Sequence, residues 1–312
     1  MNTKLISFNI VNTLEKDVSD LLFDADLSSA GADVLASTGV PFLRRSLEAE
    51  EARLAVSSYF KIEINLNMVI AELEEFKIAG RIENGKIVIP LGEIKTDQQL
   101  KLLASLDSKK RALIVDIDLS NSSVTDDGLS YLLGFNNLEK LDLTRTNIGN
   151  RGIETISAIR KLRYLNLTET KIDDRAAPFI KKLPVLEKLI LYRTNIGDKS
   201  AAEVAQISTL IYLSFSATMI TRAGILSLQP LPRLKTLLLV NCSLYDNDLR
   251  SILVLGPLEE LFVDSNPLTD NFLETVAMKA RLKFLSIKGG LEVIELGIRE
   301  LKRKRPDLII QS

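Results

Sequence analysis

The sequence has no histidine, no tryptophan and a single cysteine among 312 residues. Without imidazole there is no Ser-His-Asp or Cys-His nucleophilic machinery, and no zinc site that depends on histidine. One cysteine cannot form an internal disulfide, so folding needs no oxidising compartment. An excess of either charge is also missing: 40 Lys+Arg stand against 41 Asp+Glu, for a net charge of −1. Such a chain has no global field to hold nucleic acid or an anionic membrane. No run approaches the roughly 18 consecutive apolar residues of a membrane-spanning helix, so membrane insertion is not expected. The start, Met1 to Ile10, soon meets Asn12, Glu15, Lys16 and Asp17, too early for the apolar core of about 7–15 residues in a secretory signal. A cytoplasmic protein is the expectation. What remains, 46% hydrophobic and 26% charged, is the composition of a folded chain. Its length points to two domains or a repeat array rather than one ordinary core.

The repeat is there. Leu138-Glu-Lys-Leu-Asp-Leu-Thr-Arg-Thr-Asn-Ile148 returns as Leu162-Arg-Tyr-Leu-Asn-Leu-Thr-Glu-Thr-Lys-Ile172 and as Leu186-Glu-Lys-Leu-Ile-Leu-Tyr-Arg-Thr-Asn-Ile196. Units open at Ile114, Leu138, Leu162, Leu186, Leu210, Leu234, Leu258 and Leu282, each 24 residues after the last. The fourth position (Ile117, Leu141, Leu165, Leu189, Leu213, Leu237, Leu261, Leu285) and the sixth are apolar, the period of a strand with one buried face. The eleventh is apolar as well, from Val124 to Leu268. The second half switches to helical spacing, as in Leu129, Leu132 and Leu133, or Ile153, Ile156 and Ile159. Each unit therefore reads as strand, turn, helix and return.

From Ile114 onward the chain resembles the leucine-rich-repeat family, whose signature is L-x-x-L-x-L followed by a small or polar residue and another aliphatic. The 24-residue spacing, with Thr-Asp-Asp-Gly at 125–128 and Thr-Asp-Asn at 269–271, is similar to the bacterial and cysteine-containing types. The family's Asn or Cys at the ninth position is here mostly threonine: Ser122, Thr146, Thr170, Thr194, Thr218, Cys242, Asn266, Gly290. The resemblance implies an α/β, right-handed solenoid, a horseshoe with a concave parallel sheet, convex helices and a helical N-terminal cap. Elementary geometry gives the same curvature. Strands stack at about 4.8 Å and helices at about 8–10 Å, so the strands take the inside of the curve.

Outside the units, residues 1–90 are expected to form the cap, with helices over Asn9–Phe23, Ser46–Tyr59 and Leu66–Phe76. A hairpin is expected about the Asn84-Gly85 turn. Residues 91–113 read as a degenerate first repeat whose helix, Thr96–Leu106, has no strand, and 114–312 as the solenoid with its C-terminal cap. A helix followed by a hairpin also suggests a winged-helix DNA reader, but Glu72, Glu74 and Glu75 on the reading helix would repel phosphate. The basic run Lys302-Arg303-Lys304-Arg305 before Pro306 reads as the end of a terminal helix facing solvent. Leu308-Ile309-Ile310, after Glu292, Glu295 and Glu300, resembles a C-terminal export signal of type IV secretion substrates and equally a last buried strand.

No catalytic, cofactor or metal constellation stands out. Asp126, Asp174, Asp198, Asp246 and Asp270, with Asn150 in phase, recur where each helix begins, and N-terminal capping of those helices explains them best. Cys242 falls in the threonine ladder with no histidine to activate it. No phosphate-binding glycine loop is present.

The third, fifth and seventh positions point out of the concave sheet. The first two units put Asp116, Asp118 and Asp142 there. From the third onward Tyr164, Ile190, Tyr192, Tyr212, Leu238, Val240, Phe262 and Phe284 form an apolar and aromatic band, with Lys188 and Arg193 beside it. Strand propensity alone favours such residues, yet monomers rarely leave large apolar patches wet, and tyrosine-rich patches typify binding hot spots. The expectation is a protein that is monomeric alone and non-catalytic, binding another protein through these ten residues. The resemblance further suggests a bacterial effector that regulates its partner by occupying it. The alternatives are an adaptor that recruits a second protein through its N-terminal helices in an F-box-like role, and an enzyme hidden in the N-terminal region.

Overall fold

The computed structural model describes residues 65–289 and 295–312, all within the compact unit Glu63–Ser312. The helices expected over Asn9–Phe23 and Ser46–Tyr59 lie outside the described residues. Each unit contributes one short strand: β3 (Ile114–Asp118), β4 (Lys140–Asp142), β5 (Tyr164–Asn166), β6 (Lys188–Ile190), β7 (Tyr212–Ser214), β8 (Thr236–Leu238), β9 (Glu260–Phe262) and β10 (Phe284–Ser286). They pair in parallel and in strict register, Leu141 opposite Leu165, Leu165 opposite Leu189, and so on to Leu285. The register follows from burial. These leucines are fully buried, and a slip of one residue would turn every one of them outward.

The return segments lie on the other side of the core. Asn150–Ile156, Asp198–Val204, Arg222–Ser227 and Asp270–Ala277 are α-helical, whereas Gly128–Gly134 is wound as a 3-10 helix. That tighter winding has three residues per turn. It buries Leu129 and Leu132 but leaves Leu133 exposed, contrary to the helical spacing expected of all three.

Upstream, β1 (Arg81–Glu83) and β2 (Lys86–Ile89) form the expected hairpin, with Asn84 and Gly85 both in the left-handed region that such a turn needs. The strand that seemed missing from the degenerate first repeat is β2. It pairs in parallel with β3, Ile87 against Ile114 and Ile89 against Ile117. Helix Asp97–Ala104, capped by Thr96, then buries Leu100 and Leu103 as later helices do. A helix over 65–75 lays Leu66, Val69 and Leu73 on the same core. At the other end β11 (Ile309–Gln311) extends the sheet beside β10, giving 11 strands in sequence order. Leu308 is buried, but Ile309 is 65% exposed, so this is an edge strand rather than a buried one. The basic run also divides. Arg305 does not face solvent: its guanidinium donates to the carbonyls of Lys279, Ala280 and Leu282 and pairs with Asp307.

Two ladders of side-chain hydrogen bonds run along the array, the first within each turn and the second between neighbouring units. Thr146, Thr170, Thr194 and Thr218 are buried and donate their hydroxyls to the carbonyl three residues back, Thr194 to Leu191 at 2.7 Å. Where the ladder changes residue, Asn266 reaches between units, donating to Leu239 and Val263 and accepting from the Cys242 and Leu244 amides. The recurring aspartates form the second ladder, and the expectation that they cap their own helices is corrected. Asp198 accepts from the amide and hydroxyl of Thr221, the N-cap of the next helix, at 2.8 and 2.6 Å. Asp97 to Thr125, Asp174 to Gly197 and Ser200, and Asp246 to Thr269 repeat the pattern. Asp126 reaches Gly149 in the same way. The carboxylate thus serves the N-terminus one repeat ahead, which at Gly149 and Gly197 has no side-chain cap of its own.

Candidate functional site: the free face of the repeat sheet

Strand alternation fixes which side chains reach the free face. With the fourth and sixth positions inside, the third, fifth and seventh point away from the core. Parallel pairing at a constant register then stacks like positions into columns: Tyr164, Lys188, Tyr212 in one, Asn166, Ile190, Ser214, Leu238 in the next. All ten residues singled out by sequence occur on or beside this face. Tyr164, Lys188, Ile190, Tyr192, Tyr212, Leu238, Val240, Phe262 and Phe284 are each half-buried, and Arg193 is exposed at the strand ends. The half-burial is lateral. Between the larger side chains, Ser214, Ser216 and Ser286 are buried although their positions point outward.

The band is ordered by specific contacts. The Lys188 ammonium stands between two rings, 4.1 Å from the Tyr212 centroid and 5.4 Å from that of Tyr164, a cation–π arrangement. Burial, reinforced by the carboxylates of Asp142 and Asp118, pushes the Tyr164 hydroxyl up to about 12. Burial also raises Tyr212. Phe262 and Phe284 meet with centroids 5.1 Å apart, and Arg193 lies over the Tyr192 ring at 5.9 Å.

The polar rim expected from Lys140, Lys188 and Arg193 beside Asp142, Glu169 and Asp264 is present in part, as ladders of alternating charge. At the eighth position Arg145, Glu169 and Arg193 form a continuous ladder, Arg145 Nε to Glu169 at 3.0 Å and Arg193 to the same carboxylate at 3.3 Å. These two cations hold Glu169 below the usual carboxylate range. At the second position Arg163 pairs with Glu187, and Lys235 and Lys283 share Glu259. The signal was in the sequence, as opposite charges 24 residues apart, but it is visible only once the register is known. Inside the face, Lys140 pairs with Asp116 at 3.2 Å. Asp118 and Asp142 accept only from neutral groups: Ser120 to the first, the Thr144 amide and the Asn166 side-chain amide to the second.

Nothing on this face resembles a reaction centre. Cys242 is buried beneath the turn, donating toward the Phe215 carbonyl at 3.3 Å, and burial pushes its thiol up rather than toward the reactive thiolate. Among the described residues no group of three or more acidic or thiol side chains is placed to hold a metal ion. No helix among them is long and apolar enough to cross a membrane. A small cleft elsewhere, between helix Asp270–Ala277 and helix Glu295–Lys304, is lined by Asn271, Glu274, Leu296, Glu300 and Lys304.

Comparison with known proteins agrees with the repeat. Residues 136–157 match the family model described as a leucine-rich repeat. An internalin (inlF) from Listeria monocytogenes is similar at 17% sequence identity, over 73% of this chain and 86% of that one, with a TM-score of 0.41. No curated protein sequence matches the chain. The matched segment falls on the β4-containing unit, and the same 24-residue unit stacks in register from Ile114 to Gly289: the fold is an α/β solenoid of the leucine-rich-repeat type, with its parallel sheet on one side and its helices on the other.

Proposed function

We propose that this is a non-catalytic binding protein that engages another protein through the concave face of its repeat sheet. The observation that carries the reading is the band from Tyr164 to Phe284: eight apolar or aromatic side chains on consecutive in-register strands, with nothing among the described residues folded over them. Because the rings already brace one another, ordering them on binding costs little further side-chain entropy. Several adjacent repeats can supply the roughly 800 Å² per partner of a standard interface. In its finer form the proposal is a bacterial effector that regulates its partner by occupying it. The bacterial-type spacing and the resemblance of the C-terminal residues to an export signal support it.

The test starts from affinity capture, followed by titration of variants against the captured partner. Tyr192→Ala should weaken binding by about 2 kcal/mol or more, as central aromatics do. It should leave the urea midpoint nearly unchanged, since the side chain lies outside the core formed by Leu189, Leu191 and Leu213. Normal binding by Tyr192→Ala and Leu238→Ser, combined with loss on changing the exposed convex residues Leu226 and Met278, would place the site on the other side. For the finer form, a reporter fused to the chain and followed into host cells decides delivery.

A further inference from the structure

The proposed binding face is lopsided in charge, and the lopsidedness says what a partner must bring. Asp118 and Asp142 lie opposite one another on adjacent strands, at the roughly 4.8 Å separation of neighbouring strands. Like charges at directly opposed strand positions repel. Every cation near them is engaged elsewhere: Lys140 with Asp116, Lys188 between Tyr164 and Tyr212, Arg145 with Glu169. Asp118 and Asp142 are thus two facing carboxylates without a cation against either; Glu260 and Asp264, which also accept only from neutral groups, stand at the far end of the face, and the apolar band begins in the aspartates' own column. Ile190 follows Asp142 two strands later, about 10 Å away, and Leu238 follows two strands after that.

We propose that the partner is a protein segment carrying a lysine or arginine for the Asp118–Asp142 pair and, about 10 Å along, an apolar side chain for the floor around Ile190, Tyr192 and Leu238. An extended chain advances about 3.3–3.6 Å per residue, so the two anchors stand about three residues apart. The cation relieves the repulsion between the aspartates and fixes the direction in which the segment lies, while the apolar anchor supplies the desolvated contact. This rests on the concave-face reading and specifies its chemistry.

The probe is a phage-displayed library of random peptides about 12 residues long, panned on the full chain. The expected consensus joins Lys or Arg to an apolar or aromatic residue about three positions away. A synthetic peptide of that consensus should bind about tenfold more weakly to Asp118→Asn/Asp142→Asn, while its Lys/Arg→Gln counterpart should distinguish the two proteins by less than about twofold. The amides keep the acceptors that Ser120 and Thr144 use, and the one bond lost, from the Asn166 side-chain amide to Asp142, lies on the face outside the buried core, so the fold should survive. As a check independent of any variant, binding of the basic peptide to the unmodified chain should weaken on raising salt from about 0.05 to 0.3 M, and that of the Gln peptide should not. An acidic or purely apolar consensus, no enrichment at all, or equal binding of the basic peptide by the double variant overturns the proposal. If basic peptides are selected but Ile190→Ser and Leu238→Ser leave their binding unchanged, the concave-face reading itself fails, a separable result.

Discussion

A β-carbon on Gly224 would lie 2.4 Å from Asp198 Oδ1 and 2.7 Å from Ile220 Cγ1. The glycine is there because the inter-repeat aspartate passes through the space a side chain would take. Gly224→Ala should therefore destabilise by about 1–3 kcal/mol in urea unfolding, the usual cost of overpacking. Ala217 calls for the opposite change. It closes its strand at φ 52°, as Arg145, Glu169 and Arg193 do in their units. A left-handed non-glycine residue costs roughly 1–2 kcal/mol, and glycine gives back about 0.5–1 in backbone entropy. Ala217→Gly should raise stability by about 0.5–1 kcal/mol. Tyr164 makes a third case. Its folded-state value of about 12 lies above the ordinary tyrosine value, so its contribution is complete below about pH 10 and is lost as pH rises toward 12. Absorbance at 295 nm should show a phase near pH 12 that Tyr164→Phe removes. The outward columns were legible in the sequence because alternation fixes them. The left-handed eighth position was legible only in part: Asn121, Asn241 and Gly289 suit that conformation, whereas Arg145, Glu169, Arg193 and Ala217 give no hint of it and adopt it because of the strand pairing around them.

At the scale of elements, the aspartate ladder is what makes one repeat's helix depend on the next. Asp198→Ala leaves the Thr221 amide and hydroxyl without their acceptor and should cost about 1–3 kcal/mol. Combined with Thr221→Ala, the two losses should be clearly less than additive in a double-mutant cycle. Additive losses would show that the two side chains act separately. An acidic residue in the first turn of a helix suits both local capping and a bond to the neighbouring unit, so sequence periodicity could not choose between them. The first repeat was opaque for a related reason. Its strand lacks the leucine signature and belongs equally to a hairpin, and only the pairing of Ile87 with Ile114 and Ile89 with Ile117 reveals its second allegiance.

For the molecule as a whole, β2 and helix Asp97–Ala104 close one end of the core. A fragment beginning at residue 108 would uncover Ile114, Ile117 and Leu119, and should aggregate or unfold without a sharp transition. The fragment Glu63–Ser312 keeps that closure and should unfold cooperatively. Circular dichroism in urea distinguishes the two. Finally, the paired charges impose an arithmetic of parity on the array. Excising one repeat, residues 162–185, would bring Arg145 beside Arg193, Glu139 beside Glu187 and Lys140 beside Lys188, like against like in three columns at once. Excising two, residues 138–185, would instead set Asp116 beside Lys188. Each clash is worth only the fraction of a kcal/mol typical of exposed pairs, but the three fall together on the same seam. This stretch of the solenoid can be shortened smoothly by two units and only awkwardly by one, although the buried apolar positions recur in every unit and would accept either.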